Sequence, residues 1–238
     1  MPAKNILVAL FVFNEGEKLR NLMERFPQEA PYDLLFVDDG STDGSYEFLQ
    51  NGGRRIIRHE ANRGIGCGIR EAINYGRKNN YQIIVIMAAN GKMLPEEIER
   101  LTEPLVAGRY DYVQGSRNLA GGSSPNIPLF RKVTIRLFTV LVNLFTGFHG
   151  TDITCGFRAY RLSLFDDRRF NLEQAWLNKY EMEYYIHYHT LKGKYRVTEV
   201  PVSMVYPESG KNYSKIRPFT GWWSMIRPWV YLYLRIKK

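Results

Sequence analysis

The stretch "VDDGSTDGS" (37–45) sets two neighbouring carboxylates, Asp38 and Asp39, at the end of an apolar run and follows them with Gly-Ser. Carboxylates at a buried strand end need partners, and this pair can accept hydrogen bonds from a nucleobase or a ribose. Ser41, Thr42 and Asp43 also suit the start of a helix at residue 45. That capping reading accounts for Asp43 but leaves Asp38 and Asp39 unexplained. A second turn, in "VIMAANGKMLPEEI" (85–98), closes another apolar run with no carboxylate and one lysine, Lys92. Arg117 in "GSR" and Arg131 further on suit bidentate recognition of a phosphate. Asp152 is a candidate general base for a hydroxyl acceptor, with Glu183 behind it, and reads equally as a structural partner of Arg158. Asn14 and Glu15, in "FVFNEGE", read as helix caps or as ligand contacts with equal weight.

Strands and helices must position these residues. "NILVALFVF" (5–13), "YDLLFV" (32–37), "RRIIRH" (54–59), "YQIIVIM" (81–87) and "YDYVQGS" (110–116) read as strands, the apolar runs being those of strands buried on both faces. Helical patterns separate them, with Leu19, Leu22, Met23 and Phe26 on one face of the first and Ile69, Ala72, Ile73 and Gly76 on one face of the third. This alternation predicts βαβ units and an α/β fold with a mostly parallel sheet flanked by helices, whose ligands bind at the carboxyl ends of the strands. Beyond residue 117 come a Gly/Ser/Pro-rich loop and a basic amphipathic segment, "PLFRKVTIRLFTVLVNLFTG". An acidic-aromatic helix, "NKYEMEYYIHYHTLKGK", then precedes a strand, "YRVTEVPVSMVY". The tail carries Trp222, Ile226, Trp229, Tyr233 and Ile236 in one helical stripe, with Pro228 expected to break or restart the helix.

The glycines of "NRGIGCGIREA" (62–72) lack the spacing and position of a dinucleotide fingerprint, and no P-loop is present. They suit a helix start that packs closely on the sheet or approaches a ligand. His149, His187 and His189 lack the companions of a metal site, and the last two point to different helix faces. The net charge of +9 over 238 residues calls for an anionic partner. Nucleic acid is not favoured, because the basic residues are spread along the chain without a recognised motif. Two cysteines make no disulfide framework, and a reducing compartment is expected. There is no signal-peptide pattern, and the most apolar stretch after the N-terminus, "LFTVLVNLFTGF" (137–148), is too short to span a bilayer. A cytoplasmic protein held peripherally on an anionic membrane is expected, the tryptophans and basic residues of the tail suiting the headgroup region.

The ordered series "FVFNE", "VDDGSTDGS", "NRGIGCGIREAINYG", "VIMAANGKMLPEEI", "VQGSR", "DITCGFRAY", "TEVPV" and "NYSK" resembles family 2 glycosyltransferases of the GT-A fold. Within these it is most similar to dolichyl- and polyprenyl-phosphate sugar synthases that transfer mannose or glucose. The resemblance implies one catalytic domain over 1–217, with a nucleotide-sugar-binding half (1–116) and an acceptor half (117–217), and an amphipathic tail at 218–238. It implies inverting transfer from a GDP- or UDP-sugar to a lipid phosphate. The alternatives are transfer to a sugar or lipid hydroxyl, or a non-catalytic nucleotide-sugar-binding homologue.

By this resemblance the donor-binding residues are Phe11, Phe13, Glu15, Asp38, Asp39, Ser41, Gly64, Ala89, Asn90 and Lys92. The acceptor phosphate falls to Arg117, Arg131, Thr134 and Arg158, and catalysis to Asp152, Arg117 and Lys215. The chain departs from the family pattern in three places. The family's "DAD", which holds a divalent cation, falls on Ala88, Ala89 and Asn90; the proline and tyrosine of "P-x-Y-N-E" are Phe11 and Phe13; and the serine expected four residues after Arg131 is Ile135, with Thr134 beside it. Mg²⁺ or Mn²⁺ would keep only the Asn90 carbonyl as a protein ligand, so weakened or absent metal dependence is expected. Lys92 and Lys215 would then neutralise the departing diphosphate.

Overall fold

The computed structural model describes residues 4–208 and 220–237. Seven strands form one sheet: β1 (Ile6–Val12), β2 (Asp33–Asp38), β3 (Ile56–Arg58), β4 (Ile83–Ala88), β5 (Tyr112–Ser116), β6 (Arg158–Arg161) and β7 (Val197–Pro201). Their order is β3-β2-β1-β4-β6-β5-β7. All neighbours pair in parallel except β6, which runs antiparallel between β4 and β5. The five strands read from the apolar runs are present, and so is the strand in "YRVTEVPVSMVY". β6 was not anticipated: "RAYR" is too short and too basic to register as a buried strand. Because β6 is inserted there, the sheet runs unbroken across the expected boundary at 116/117.

The helices are α1 (Gly16–Glu24), α2 (Ser45–Asn51), α3 (Ile65–Lys78), α4 (Ile98–Val106), α5 (Leu129–Thr146), α6 (Glu181–Lys192) and α7 (Thr220–Tyr233). β1 shows why they cover both faces. Val8, Leu10 and Val12 join a core with Leu19 and Leu22 of α1 and Ile98, Leu101 and Leu105 of α4. Leu7, Ala9 and Phe11 point the other way, to Ile69, Ala72 and Ile73 of α3 and Met182, Tyr185 and Ile186 of α6. The period-2 alternation of side chains divides one continuous apolar run between two cores.

The glycines before and within α3 serve packing. A Cβ on Gly66 would lie 2.0 Å from the Leu177 carbonyl oxygen, and one on Gly68 would crowd Val37 and Phe11 at 3.0 and 3.1 Å.

The second half brings one feature the sequence reading did not address and one change of expectation. Helix α5 buries only Ile135, Thr139 and Val142, while Leu129, Phe130, Val133, Leu137, Val140, Leu141, Leu144 and Phe145 are exposed. Its wide apolar face therefore points away from the core. In the tail, α7 continues through Pro228 without a break. Pro228 and Trp229 are buried, and Arg227 pairs with the buried Glu181 of α6, so tertiary packing holds the helix together where the local rule predicts an interruption. The predicted stripe is split accordingly: Trp229 is buried, whereas Trp222, Ile226, Tyr233 and Ile236 are exposed.

Candidate active site

The parallel strands β1, β2 and β4 deliver their carboxyl ends side by side, with Val12 opposite Asp38 and Phe11 opposite Ala88. The two neighbouring acids have different surroundings. Asp39 accepts bonds from His59 Nδ1 at 2.7 Å, the Arg63 N–H at 2.7 Å and the Gly64 N–H at 2.9 Å, which occupies most of a carboxylate's acceptor positions. Asp38 is fully buried; its Oδ2 accepts the Ser41 N–H at 3.2 Å, and its Oδ1 is buried with no hydrogen-bond partner among the described residues. Ser41 Oγ accepts the Asn14 N–H, and Asn14 Oδ1 accepts the Thr42 N–H, locking the β1 and β2 turns together. Asn14 thus caps across the turn rather than its own helix. Asp43 accepts the Ser45 N–H, as its capping role requires. Glu15 is buried at the same junction, where its backbone N–H donates to Ser45 Oγ. Phe11 is buried and Phe13 half-buried beside these turns. Gly64 gives its N–H to Asp39 and abuts the Asn178 carbonyl, so it serves the frame of the turn.

At the end of β4, Ala89 is buried and donates its N–H to the Phe11 carbonyl. Asn90 Oδ1 accepts the Lys92 N–H at 3.2 Å, closing a tight turn in which Gly91 takes φ +75°. Hard divalent cations prefer carboxylate oxygens. This turn offers a single amide oxygen, already engaged by Lys92's N–H, and so does not fit Mg²⁺ or Mn²⁺ as a cation held by the protein. The Lys92 ammonium is buried and lies 5.2 Å from the centre of the Tyr206 ring; the Arg131 guanidinium is 5.4 Å from the same ring. Arg117 Nη1 donates to the Tyr206 hydroxyl at 2.9 Å. Tyr206 thus gathers three cations from β4's turn, β5's end and the start of α5, each attracted to the ring face or the hydroxyl. Sequence reading missed Tyr206, because nothing in "SMVYPE" marks a tyrosine as a meeting point.

Arg117 and Asp152 form a buried bidentate pair at 2.6 and 2.7 Å. Burial alone would lower the arginine's pKa, but the bonds and charge of Asp152 outweigh it and raise the pKa above the usual value. Asp152 also accepts from the Arg117 N–H and from Thr154, and its own N–H is fixed by Glu199. The expected pairing of Asp152 with Arg158 is therefore replaced by pairing with Arg117. Arg158 lies buried, with Nε, Nη1 and Nη2 each donating to a carbonyl, of Cys155, Glu183 and Ile153 in turn, so burial keeps it from an acceptor phosphate. Thr134 is exposed and donates to the Phe130 carbonyl of its own helix, away from Tyr206, while Ile135 takes the inward position. Lys215 lies outside the described residues. Glu183 is half-buried near Gly156, and burial raises its pKa, with Arg158 opposing.

His187 is buried and bonded to the Tyr112 hydroxyl at 2.8 Å, and burial holds its pKa well below the usual value. His189 is lowered to about 4, burial again being the main cause. Neither histidine belongs to the cluster of metal-capable side chains found among the described residues.

An open basin of about 520 Å³ lies between the 117–125 loop and α5, lined by Arg117, Asn118, Ser123, Ser124, Lys132 and Arg136.

The model of glycosyl transferase family 2 matches residues 8–169, and the chain belongs to that family. It is a glycosyltransferase with the GT-A fold. An undecaprenyl-phosphate mannosyltransferase of Micrococcus luteus is 28% identical over 213 residues, covering 87% of this chain and 86% of the relative. A polyprenol monophosphomannose synthase of Mycolicibacterium smegmatis is 29% identical over 216 residues, covering 88% and 80%. Among solved structures, several of glucosyl-3-phosphoglycerate synthase of Mycobacterium tuberculosis superpose with TM-scores of 0.66–0.69, one of them a complex with Mn²⁺, UDP and phosphoglyceric acid. The complex just named reaches 0.69 at 16% identity, covering 98% of this chain and 78% of that one.

The Arg117–Asp152 pair gives a direct test. Asp152→Ala leaves a buried arginine without its counter-charge and should cost about 3–5 kcal/mol, read by urea unfolding. An unchanged unfolding midpoint would mean that Asp152 faces the crevice as a base.

Proposed function

We propose that the protein moves a sugar, with inversion, from a GDP- or UDP-sugar to a polyprenyl phosphate at a membrane surface. The observation that carries this reading is the cluster of Lys92, Arg131 and Arg117 about Tyr206, at a strand end that offers a metal no carboxylate. In this reading Asp38 Oδ1 and Glu15 take the base and ribose of the donor, while Asp39 holds the turn. The acceptor phosphate sits in the basic basin, near Arg131, Lys132 and Arg136. Its oxygen attacks the anomeric carbon, and the bond from that carbon to the diphosphate breaks, the electron pair leaving with the diphosphate. Lys92 and Arg131 meet the developing negative charge in a partly desolvated site, where fixed charges act most strongly. A phosphate monoester has a second pKa near ~6, so the acceptor is already an anion at neutral pH and needs no strong base. Dependence on a divalent cation is weak or absent. Activity should therefore survive excess EDTA, whereas Lys92→Ala should lower turnover by about 10²–10³, the loss typical of one charge-stabilising donor. In the double variant Ala88→Asp/Asn90→Asp, added Mn²⁺ should become stimulatory. Abolition of wild-type activity by EDTA, with rescue by Mn²⁺, would overturn the cation reading.

The apolar face of α5 supports the membrane part. Phe130 lies 6.3 Å from Trp222 and Phe145 5.4 Å from Tyr233, so α5 and α7 run side by side and their exposed apolar residues merge into one surface. Among the described residues no helix is long and apolar enough to cross a membrane. Apolar side chains beside Lys132 and Arg136 suit insertion at the headgroup boundary of an anionic bilayer. Leu137 and Leu144 are 62% and 77% exposed, so Leu137→Glu/Leu144→Glu should leave the melting temperature unchanged. It should also abolish co-sedimentation with phosphatidylglycerol vesicles; retained binding would reject this face as the docking surface.

Glu183 supports a second reading, transfer to a sugar or lipid hydroxyl. Its raised pKa suits a general base. Glu183→Gln should leave transfer to polyprenyl phosphate within a few-fold of wild type. Wild-type transfer to a hydroxyl acceptor that falls by about 10²–10⁴ in Glu183→Gln would instead favour the second reading.

A further inference from the structure

His59, Cys67 and Glu71 converge beside the donor-side turn, each offering one ligand atom within 4.8 Å of the others. His59 follows β3, while Cys67 and Glu71 lie one turn apart on the same face of α3. His59 and Cys67 are buried; Glu71 is partly exposed. The arrangement around His59 is specific. Its Nδ1 is 2.7 Å from Asp39 Oδ1, and its Nε2 is 2.7 Å from Glu71 Oε2. If Nδ1–H donates to Asp39, Nε2 of the neutral ring carries a lone pair that faces a carboxylate oxygen. Two acceptors at that distance require a positive species between them, either a proton or a metal ion. Cys67 Sγ approaches the same carboxylate, 3.7 Å from Glu71 Oε1.

We propose that this trio is a binding site for a thiophilic divalent cation of the zinc class, with Asp39 as the outer partner of the histidine. Imidazole nitrogen, thiolate and carboxylate form a donor set that selects zinc over magnesium or calcium. Around a tetrahedral zinc, with bonds of about 2.1 Å to nitrogen or oxygen and 2.3 Å to sulfur, ligand atoms lie about 3.4–3.7 Å apart. Adjustments of roughly 1 Å or less bring the three atoms to that spacing. A carboxylate holding the distal N–H of a ligating histidine is the usual outer-sphere arrangement, and Asp39 provides it. Arg63 Nη1 binds Glu71 Oε1 at 3.0 Å, which leaves Oε2 for the metal. The fourth position falls to water. Binding displaces two protons, one from the Cys67 thiol and one from between His59 and Glu71, and both pass to solvent as the cation takes their place. The bound ion would tie the end of β3 and the start of α3 to the turn that Asp39 frames. This inference is independent of the transferase reading, because its test uses metal alone.

The test is titration of chelator-treated full-length protein with Co²⁺. Wild type should bind one equivalent, with the intense visible bands of tetrahedral cobalt and a near-ultraviolet thiolate-to-cobalt band. Zn²⁺ should displace the Co²⁺ and release two protons per ion, read from the dependence of the calorimetric heat on buffer. Cys67→Ala should lose the charge-transfer band, and Asp39→Asn should bind about 10–100-fold more weakly. Circular dichroism checks that each variant is folded, and Glu71→Gln serves as a second, near-isosteric ligand variant. Cobalt spectra typical of six-coordinate aqueous ions, or equal affinity in wild type, Cys67→Ala and Glu71→Gln, would overturn the proposal and leave a proton as the bridging species.

Discussion

The buried pair of Arg117 and Asp152 holds together the cationic side of the crevice. Asp152 binds the guanidinium on two nitrogens, Thr154 takes one of those nitrogens as well, and Tyr206 takes the third. Glu199 of β7 fixes the Asp152 backbone from below, with Thr151 donating to the same carboxylate. A buried arginine is tolerated when its charge is paired with good geometry and further hydrogen bonds offset its desolvation. Here the satisfied network joins the end of β5, the 151–154 loop, β7 and the segment that carries Tyr206. Tyr206 then presents its ring to Lys92 and Arg131. One ion pair thus sets the position of the ring about which Lys92 and Arg131 gather.

Charge placement at the strand ends follows from that frame. On the β1–β2 side the exposed ends are acidic and rich in backbone donors; on the β4–β5 side they are cationic. A donor whose nucleoside needs acceptors and whose diphosphate needs positive charge suits this polarity. At the end of β4 this chain has two alanine side chains and an amide, and the nearby lysine lies beside an aromatic ring. Lysine and a carboxylate-bound cation are both ways of putting positive charge in one place. They differ in that the lysine charge is covalently fixed and needs no ion from solution.

The outer helices answer a different constraint. An amphipathic helix ordinarily turns its apolar stripe toward the core. Helix α5 buries three residues and leaves its broader apolar side uncovered, and α7 extends that surface while anchoring itself through Trp229, Leu232 and the Arg227–Glu181 pair. Contiguous exposed apolar surface of this kind marks a binding face. It lies beside the basic basin lined by Lys132 and Arg136.

The sequence by itself determined most of the sheet and the location of the donor-side turns. Continuous apolar runs separated by helical patterns define parallel strands, and in such sheets the strand ends are where ligands bind. The acids at 38 and 39 and the lysine at 92 were legible because each stands at the end of such a run. What the residue types could not convey was how those side chains divide their hydrogen bonds. Asp39 is engaged by His59 and two backbone donors, while Asp38 keeps an oxygen unmatched among the described residues; Asp152 serves Arg117 rather than Arg158; Thr134 turns outward where Ile135 turns in. β6, Tyr206 and the His59–Cys67–Glu71 trio also belonged to the tertiary structure alone. The partners of β6 and of Tyr206 lie far along the chain, and the trio is brought together across a strand-to-helix turn; both depend on strand order and crossover packing, which local periodicity does not encode.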